Sequence, residues 1–173
     1  SYHKHVAASL GLKILNYGIG ETAITVMDGR NNAMSERYVL MSNEADIVTV
    51  LAGTNDGGVP IGTMVDRVNT TFYGALHVLY AGLIEKYSGK RIGIMLMTPR
   101  DNAFTDSHFQ SRLQAEIEVA HYYGIPVLDL FNESGIAVNI PSQRTLYMPD
   151  GLHPSASAHV ILARQIIPFL KRL

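Results

Sequence analysis

DIVTVLAGTND, residues 46–56, decides the fold of this chain. Asp46 opens a nearly unbroken apolar run, Ile47-Val48-Thr49-Val50-Leu51-Ala52, in which β-branched residues predominate. A strand with one wet face would alternate apolar and polar side chains, so a continuous run reads as a strand covered on both faces, the mark of a parallel sheet between helices. The run then ends abruptly in Gly53-Thr54-Asn55-Asp56-Gly57-Gly58, a polar, turn-forming exit.

Three more runs of the same kind lie around it: Lys13–Ile19 (KILNYGI), Arg91–Thr98 (RIGIMLMT) and Pro126–Leu130 (PVLDL). Helical spacing fills the intervals. Met64, Val68, Phe72, Ala75, Leu79 and Leu83 recur at three- and four-residue steps, as do Phe109, Leu113, Ile117 and Ala120. The last helix is expected to start at Ser155 as N-cap after Pro154 and to bury Val160, Ala163, Ile167 and Leu170, with Pro168 kinking or ending it. SYHKHVAASLGL at residues 1–12 reads as a short helix closed by Gly11. Strand and helix alternate, which predicts an α/β fold with right-handed crossovers.

With 173 residues, 47% hydrophobic and 17% charged, the chain has the size and composition of one domain spanning residues 1–173. A net charge of -1 with scattered Lys and Arg gives no basic footprint for a nucleic acid, so a small molecule is the expected partner. No apolar run reaches the roughly 20 residues needed to span a bilayer. The absence of cysteine removes disulfides, thiolate metal sites and a cysteine nucleophile, and fits a cytoplasmic or an exported protein equally. Compartment and oligomeric state are open at this point.

In open parallel sheets, ligands sit beyond the carboxyl ends of the strands. Three exits are polar: Asn16 to Thr22, Gly53 to Gly58, and Thr98-Pro99-Arg100-Asp101. Asp150 and His153 then arrive just before the last helix. Asp150 at this spacing is able to take one ring N–H of His153, fix its tautomer and stabilise the imidazolium formed when the ring removes a proton. Asn55 is able to donate its amide, and Gly20 its backbone N–H, to a developing oxyanion. Each motif taken singly also reads as turn or cap chemistry; convergence on one edge favours a shared site. No metal is expected, since the seven histidines include no pair four apart on one helix. Gly18-Ile19-Gly20-Glu21-Thr22-Ala23 fits a dinucleotide fingerprint, but the acidic residue required about 20 positions on is missing, because the next strand ends only at Asn55/Asp56.

Gly53-Thr54-Asn55-Asp56 and Asp150-Gly151-Leu152-His153-Pro154 resemble, in order and relative position, the third and fifth sequence blocks of the SGNH hydrolases, the GDSL-type esterases and lipases. The resemblance runs from the first helix to the last. It implies a three-layer α/β/α sandwich with a flavodoxin-like sheet of order 2-1-3-4-5, and a serine esterase without a cofactor acting on a small ester such as an acylated carbohydrate or a lipid. It further implies His153 as general base, Asp150 as its orienter, and Asn55 and Gly20 as oxyanion donors, with Gly18 the alternative to Gly20.

The Gly-Asp-Ser block that supplies the family's nucleophile is absent from residues 1–173. Ser1 does not match it, Ser9 lies in the first helix pattern, Ser42 precedes a strand, and Ser155 and Ser157 suit helix capping. The four strands would then be the second to fifth, with the central first strand unaccounted for. A binding domain without a nucleophile is the alternative reading. Intact mass and N-terminal sequencing of the natural polypeptide are expected to show a mass above 19.0 kDa and an upstream Gly-Asp-Ser; a polypeptide truly starting at Ser1 would overturn that expectation.

Overall fold

The computed structural model describes residues 1–173. Its sheet is parallel and three-stranded, β1 (Ile47–Leu51), β2 (Arg91–Met95) and β3 (Val127–Leu128), in the order β1-β2-β3. Helices α1 (Tyr2–Leu10) and α2 (Met34–Arg37) precede the sheet, α3 (Phe72–Lys86) and α4 (Ser107–Tyr122) form the crossovers, and α5 (Leu130–Glu133), α6 (Pro141–Tyr147) and α7 (Ala156–Arg172) follow it.

Successive strand residues point to opposite faces, so β2 feeds two cores. Ile94 packs with Val48, Leu76, Leu79 and Val119 under α3 and α4. Met95 packs with Leu128, Leu162, Phe169 and Val6 under α7 and α1. The result is the three-layer α/β/α arrangement, with strand order matching the last three strands of the expected sheet.

Lys13–Ile19 is not a strand. Its backbone is irregular and exposed, with Ile14 and Leu15 at 37% and Ile19 at 51% exposure. The physical reason lies beside it. No strand neighbours this segment; a cleft of about 1320 Å³ separates it from β1, lined by Leu12 to Ile19 on one wall and Ile47 to Leu51 on the other. An apolar segment without a hydrogen-bonding neighbour has nowhere to place its amides as a strand.

Two helix expectations also shift. The first crossover helix begins at Phe72, not Met64, because Thr71 caps it, its hydroxyl accepting the Gly74 N–H at 3.2 Å. Asp66 folds the preceding stretch into a turn by accepting the Thr63 N–H at 3.1 Å and the Thr71 hydroxyl at 2.9 Å. In α7, Ser155 is the N-cap as read, but the buried stripe is Ala158, Leu162, Ala163, Ile166, Phe169 and Leu170, leaving Val160 36% exposed. Pro168 does not end this helix, which runs to Arg172; Pro168 and Arg164, whose carbonyl it deprives of a donor, are both exposed residues.

β1 is bonded on one side only. Arg91 N–H donates to Asp46 O, and the alternation of a parallel ladder then turns the amides of Val48 and Val50 toward β2 and those of Ile47 and Thr49 toward the cleft. Amide hydrogen exchange measured by NMR is expected to be slow at Val48 and Val50 and fast at Ile47 and Thr49. Equal protection at all four would show that β1 has a second hydrogen-bonding neighbour.

Candidate functional site

The turn at the end of β1 is built around Gly53. Its φ of +98° is a conformation that side chains disfavour, and a Cβ there would stand 2.8 Å from Glu116 Oε1. Asp56 N–H donates to Gly53 O at 3.2 Å, closing the turn with Asn55 in its third position. Asp56 is fully buried and its carboxylate accepts the backbone N–H groups of Ile24 (3.0 Å) and Thr25 (2.9 Å) and the Thr25 hydroxyl. That bond set draws residues 22–25 against the β1 exit. Asn55 Nδ2 in turn donates to Thr22 O at 3.1 Å, which leaves one of its two amide hydrogens free.

Ile19 to Thr22 forms a tight turn, with Thr22 N–H on Ile19 O at 3.5 Å and Glu21 at φ +63°. Gly20 lies in that turn, exposed, and its N–H has no protein partner. The Gly18 N–H is already taken by Asn16 Oδ1 at 2.9 Å. Of the two glycines, only Gly20 therefore has a donor to offer.

Asp150 and His153 come together in the turn that precedes α7. Asp150 Oδ1 accepts the backbone N–H groups of Leu152 (2.9 Å) and His153 (2.7 Å), and Oδ2 lies 2.7 Å from His153 Nδ1. The His153 backbone and ring, then the Leu152 amide, hold the Asp150 carboxyl well below the ordinary carboxylate range. Because a carboxylate only accepts, Nδ1 carries a ring proton, so in the neutral tautomer Nε2 is the nitrogen with the lone pair. The ring is 76% exposed and Nε2 has no protein partner. A general base needs a neutral, accessible nitrogen of this kind.

Asp101 and a residue that the sequence did not single out, Arg144, hold this loop. Arg144 on α6 grips Asp101 through Nε (2.7 and 2.8 Å) and Nη2 (2.5 Å), and Asp101 N–H donates to Gly151 O at 2.8 Å. Gly151, at φ +79°, sits so close that a Cβ would meet Asp101 Oδ2 at 2.2 Å. Asp101 was visible as part of the third polar exit; Arg144 gave no signal in its irregular segment. Arg112 and Glu116 were legible only as charges that fall on the same helical face as Phe109 and Ala120, and each is 1% exposed. No cluster of three or more histidine and carboxylate groups is placed to hold a metal ion.

Residues 1–161 match the sequence profile of the GDSL-like lipase/acylhydrolase family. One crystal structure, 29% identical, superposes with a TM-score of 0.92 over 100% of this chain and 86% of that chain. A protein from Lactobacillus plantarum, also 29% identical, gives 0.88 over 99% and 87%. A possible lipase from Chitinophaga pinensis, 20% identical, gives 0.77 over 99% and 88%, a likeness of fold. No curated protein matches the chain significantly.

The depressed Asp150 carboxyl has a pH signature. Its contribution to loop order is present above the ordinary carboxylate value of about 3.9 and is lost only as pH falls through the lower folded value. Carboxyl ¹³C NMR is expected to show Asp150 still ionised where other surface carboxylates have protonated. In His153→Ala the midpoint should move up, short of the ordinary value because two backbone N–H bonds remain. An ordinary Asp150 midpoint in the parent protein would contradict this geometry.

Proposed function

The chain belongs to the GDSL-like lipase/acylhydrolase family, and on that premise we propose that it is a serine esterase cleaving small carboxylic esters, with acetyl or short acyl groups on carbohydrate or lipid as the substrate class. The observation that carries the reading is the Asp150–His153 pair at 2.7 Å, with Nε2 of the ring open to solvent beside the sheet's carboxyl edge.

The reaction follows from the donors and acceptors present. A serine Oγ attacks the acyl carbon as His153 Nε2 takes its proton, and Asp150 stabilises the imidazolium. Negative charge gathers on the former carbonyl oxygen, where the free amide hydrogen of Asn55 and the N–H of Gly20 supply two donors. The carbon–oxygen bond to the alcohol breaks, and the imidazolium returns the proton to the departing oxygen. Water then attacks the acyl-serine, again giving a proton to Nε2, and the tetrahedral intermediate expels serine, which regains that proton as the carboxylic acid leaves.

The serine is proposed to reach this edge on a strand lying in the cleft between Lys13–Ile19 and β1. Support for this comes from the cleft's two apolar walls and from the unpaired side of β1. A strand inserted there would stand about 4.8 Å from each neighbour. Its carboxyl end would emerge between the turn holding Gly20 and the turn holding Asn55. Ser155, two residues from His153, is otherwise engaged: its Oγ donates to Leu146 O at 2.9 Å and caps α7.

Hydrolysis of p-nitrophenyl acetate and labelling by a fluorophosphonate, measured on the polypeptide that includes the strand, test the reading. His153→Ala is expected to lower kcat by about 10³-fold and abolish labelling. Asn55→Ala should lower kcat by about 10²-fold to 10³-fold, the usual result of losing one oxyanion donor. Normal turnover in His153→Ala removes the proposed base. A folded protein that neither hydrolyses nor labels would be a binding domain on the hydrolase scaffold.

A further inference from the structure

Beneath the Gly53–Asp56 turn lies a charged group that the reaction does not touch. Arg112, on α4, is 1% exposed, and its Nη1 donates to Gly53 O and, at 3.4 Å, to Thr54 O. Those are the two carbonyls that immediately precede Asn55. The planar guanidinium stands 5.2 Å from the centre of the Phe109 ring, which limits its freedom to tilt. Glu116, one helical turn along, is equally buried and reaches toward Gly53 from the same side. Burial, then the nearby Asp56 carboxylate, push the Glu116 carboxyl up, against the opposing pull of Arg112.

We propose that Arg112 is a positioning residue for Asn55: its buried guanidinium fixes the two carbonyls that lead into Asn55 and so sets the direction of the free amide hydrogen. The inference rests on the reading of Asn55 as an oxyanion donor. The turn is held from two sides. Asp56 and Thr22 hold it toward the segment at residues 22–25, and Arg112 holds it from α4. Thr22 O restrains one amide hydrogen and the Asp56 N–H holds Gly53 O, but Thr54 O has no backbone donor; Arg112 adds a second bond on Gly53 O and one on Thr54 O, holding the peptide planes that lead into Asn55. A buried arginine with two carbonyl acceptors is stiff because each bond lost would leave a charge desolvated without a partner. Oxyanion stabilisation depends on donors already in place when charge develops, and a displacement of about 1 Å costs about 10²-fold in rate.

Arg112→Met keeps side-chain length and removes the donors, and Arg112→Lys keeps the charge without the planar fork. Two readouts are compared at temperatures where circular dichroism shows each variant folded. The first is steady-state hydrolysis per fluorophosphonate-titrated site. Arg112→Met is expected to lower kcat by about 10-fold to 100-fold with KM within twofold, and Arg112→Lys to restore part of it. The second is the pair of Asn55 side-chain amide resonances in the ¹⁵N spectrum, which requires no catalysis. They are expected to shift and lose their inequivalence in Arg112→Met. Unchanged amide resonances, or unchanged kcat per active site, overturn the inference, and should Arg112→Met not fold, the same two results in Arg112→Lys decide it. An inactive parent protein would instead sink the proposed esterase, while the amide spectrum would still decide whether Arg112 sets the geometry of Asn55.

Discussion

A buried carboxylate, Asp56, holds together the two halves of this molecule's working edge. A carboxyl group with no exposure is tolerated only when donors replace its water, and here the donors come from Ile24 and Thr25, about thirty residues away in sequence. Satisfying Asp56 therefore obliges the segment after Gly20 to lie against the end of β1. The placement of Asn55 beside the Gly20 turn follows from that obligation. Asn55 finds Thr22 O because Thr22 precedes the residues that bond Asp56, and the Gly20 turn is delivered to the same place. With a cleft separating Lys13–Ile19 from β1, this polar clasp does what strand pairing does elsewhere in the sheet.

The parallel sheet and its helical layers were legible because they depend on local pattern. Val48 and Ile94 belong to continuous apolar runs, Gly11 closes α1 in a left-handed conformation, and Ser155 caps α7 as its neighbours imply. Lys13–Ile19 shows the limit of pattern. Its composition is that of a strand, yet a strand is a relation between two segments, and composition says nothing about whether the neighbour is present. The start of α3 departs from the periodic pattern for a related reason. Met64 and Val68 keep helical spacing, but Asp66 competes for the backbone through side-chain bonds that periodicity does not register.

The site divides in the same way. Asp150 and His153 sit three residues apart, so their spacing is already a statement about contact. Asn55 could be placed from the strand that precedes it. Arg144 and Arg112 act across 43 and 59 residues respectively, on partners that nothing in the local sequence names. Long-range supports of this kind surface only as charges on a helix face that ought to be apolar, and Arg112 and Glu116 on α4 are that signal.

The pairing of α1 with α7 has a consequence in time. α1 precedes all three strands of the described sheet, and its one buried side chain, Val6, lies in a core completed by Leu162, Ile166 and Phe169 of α7. α1 is therefore synthesised well before α7, the helix whose side chains complete the core on which Val6 settles. The turn carrying His153 is anchored to the start of that same late element. The proposed imidazole base and the closure of the second core thus arrive together, late in synthesis.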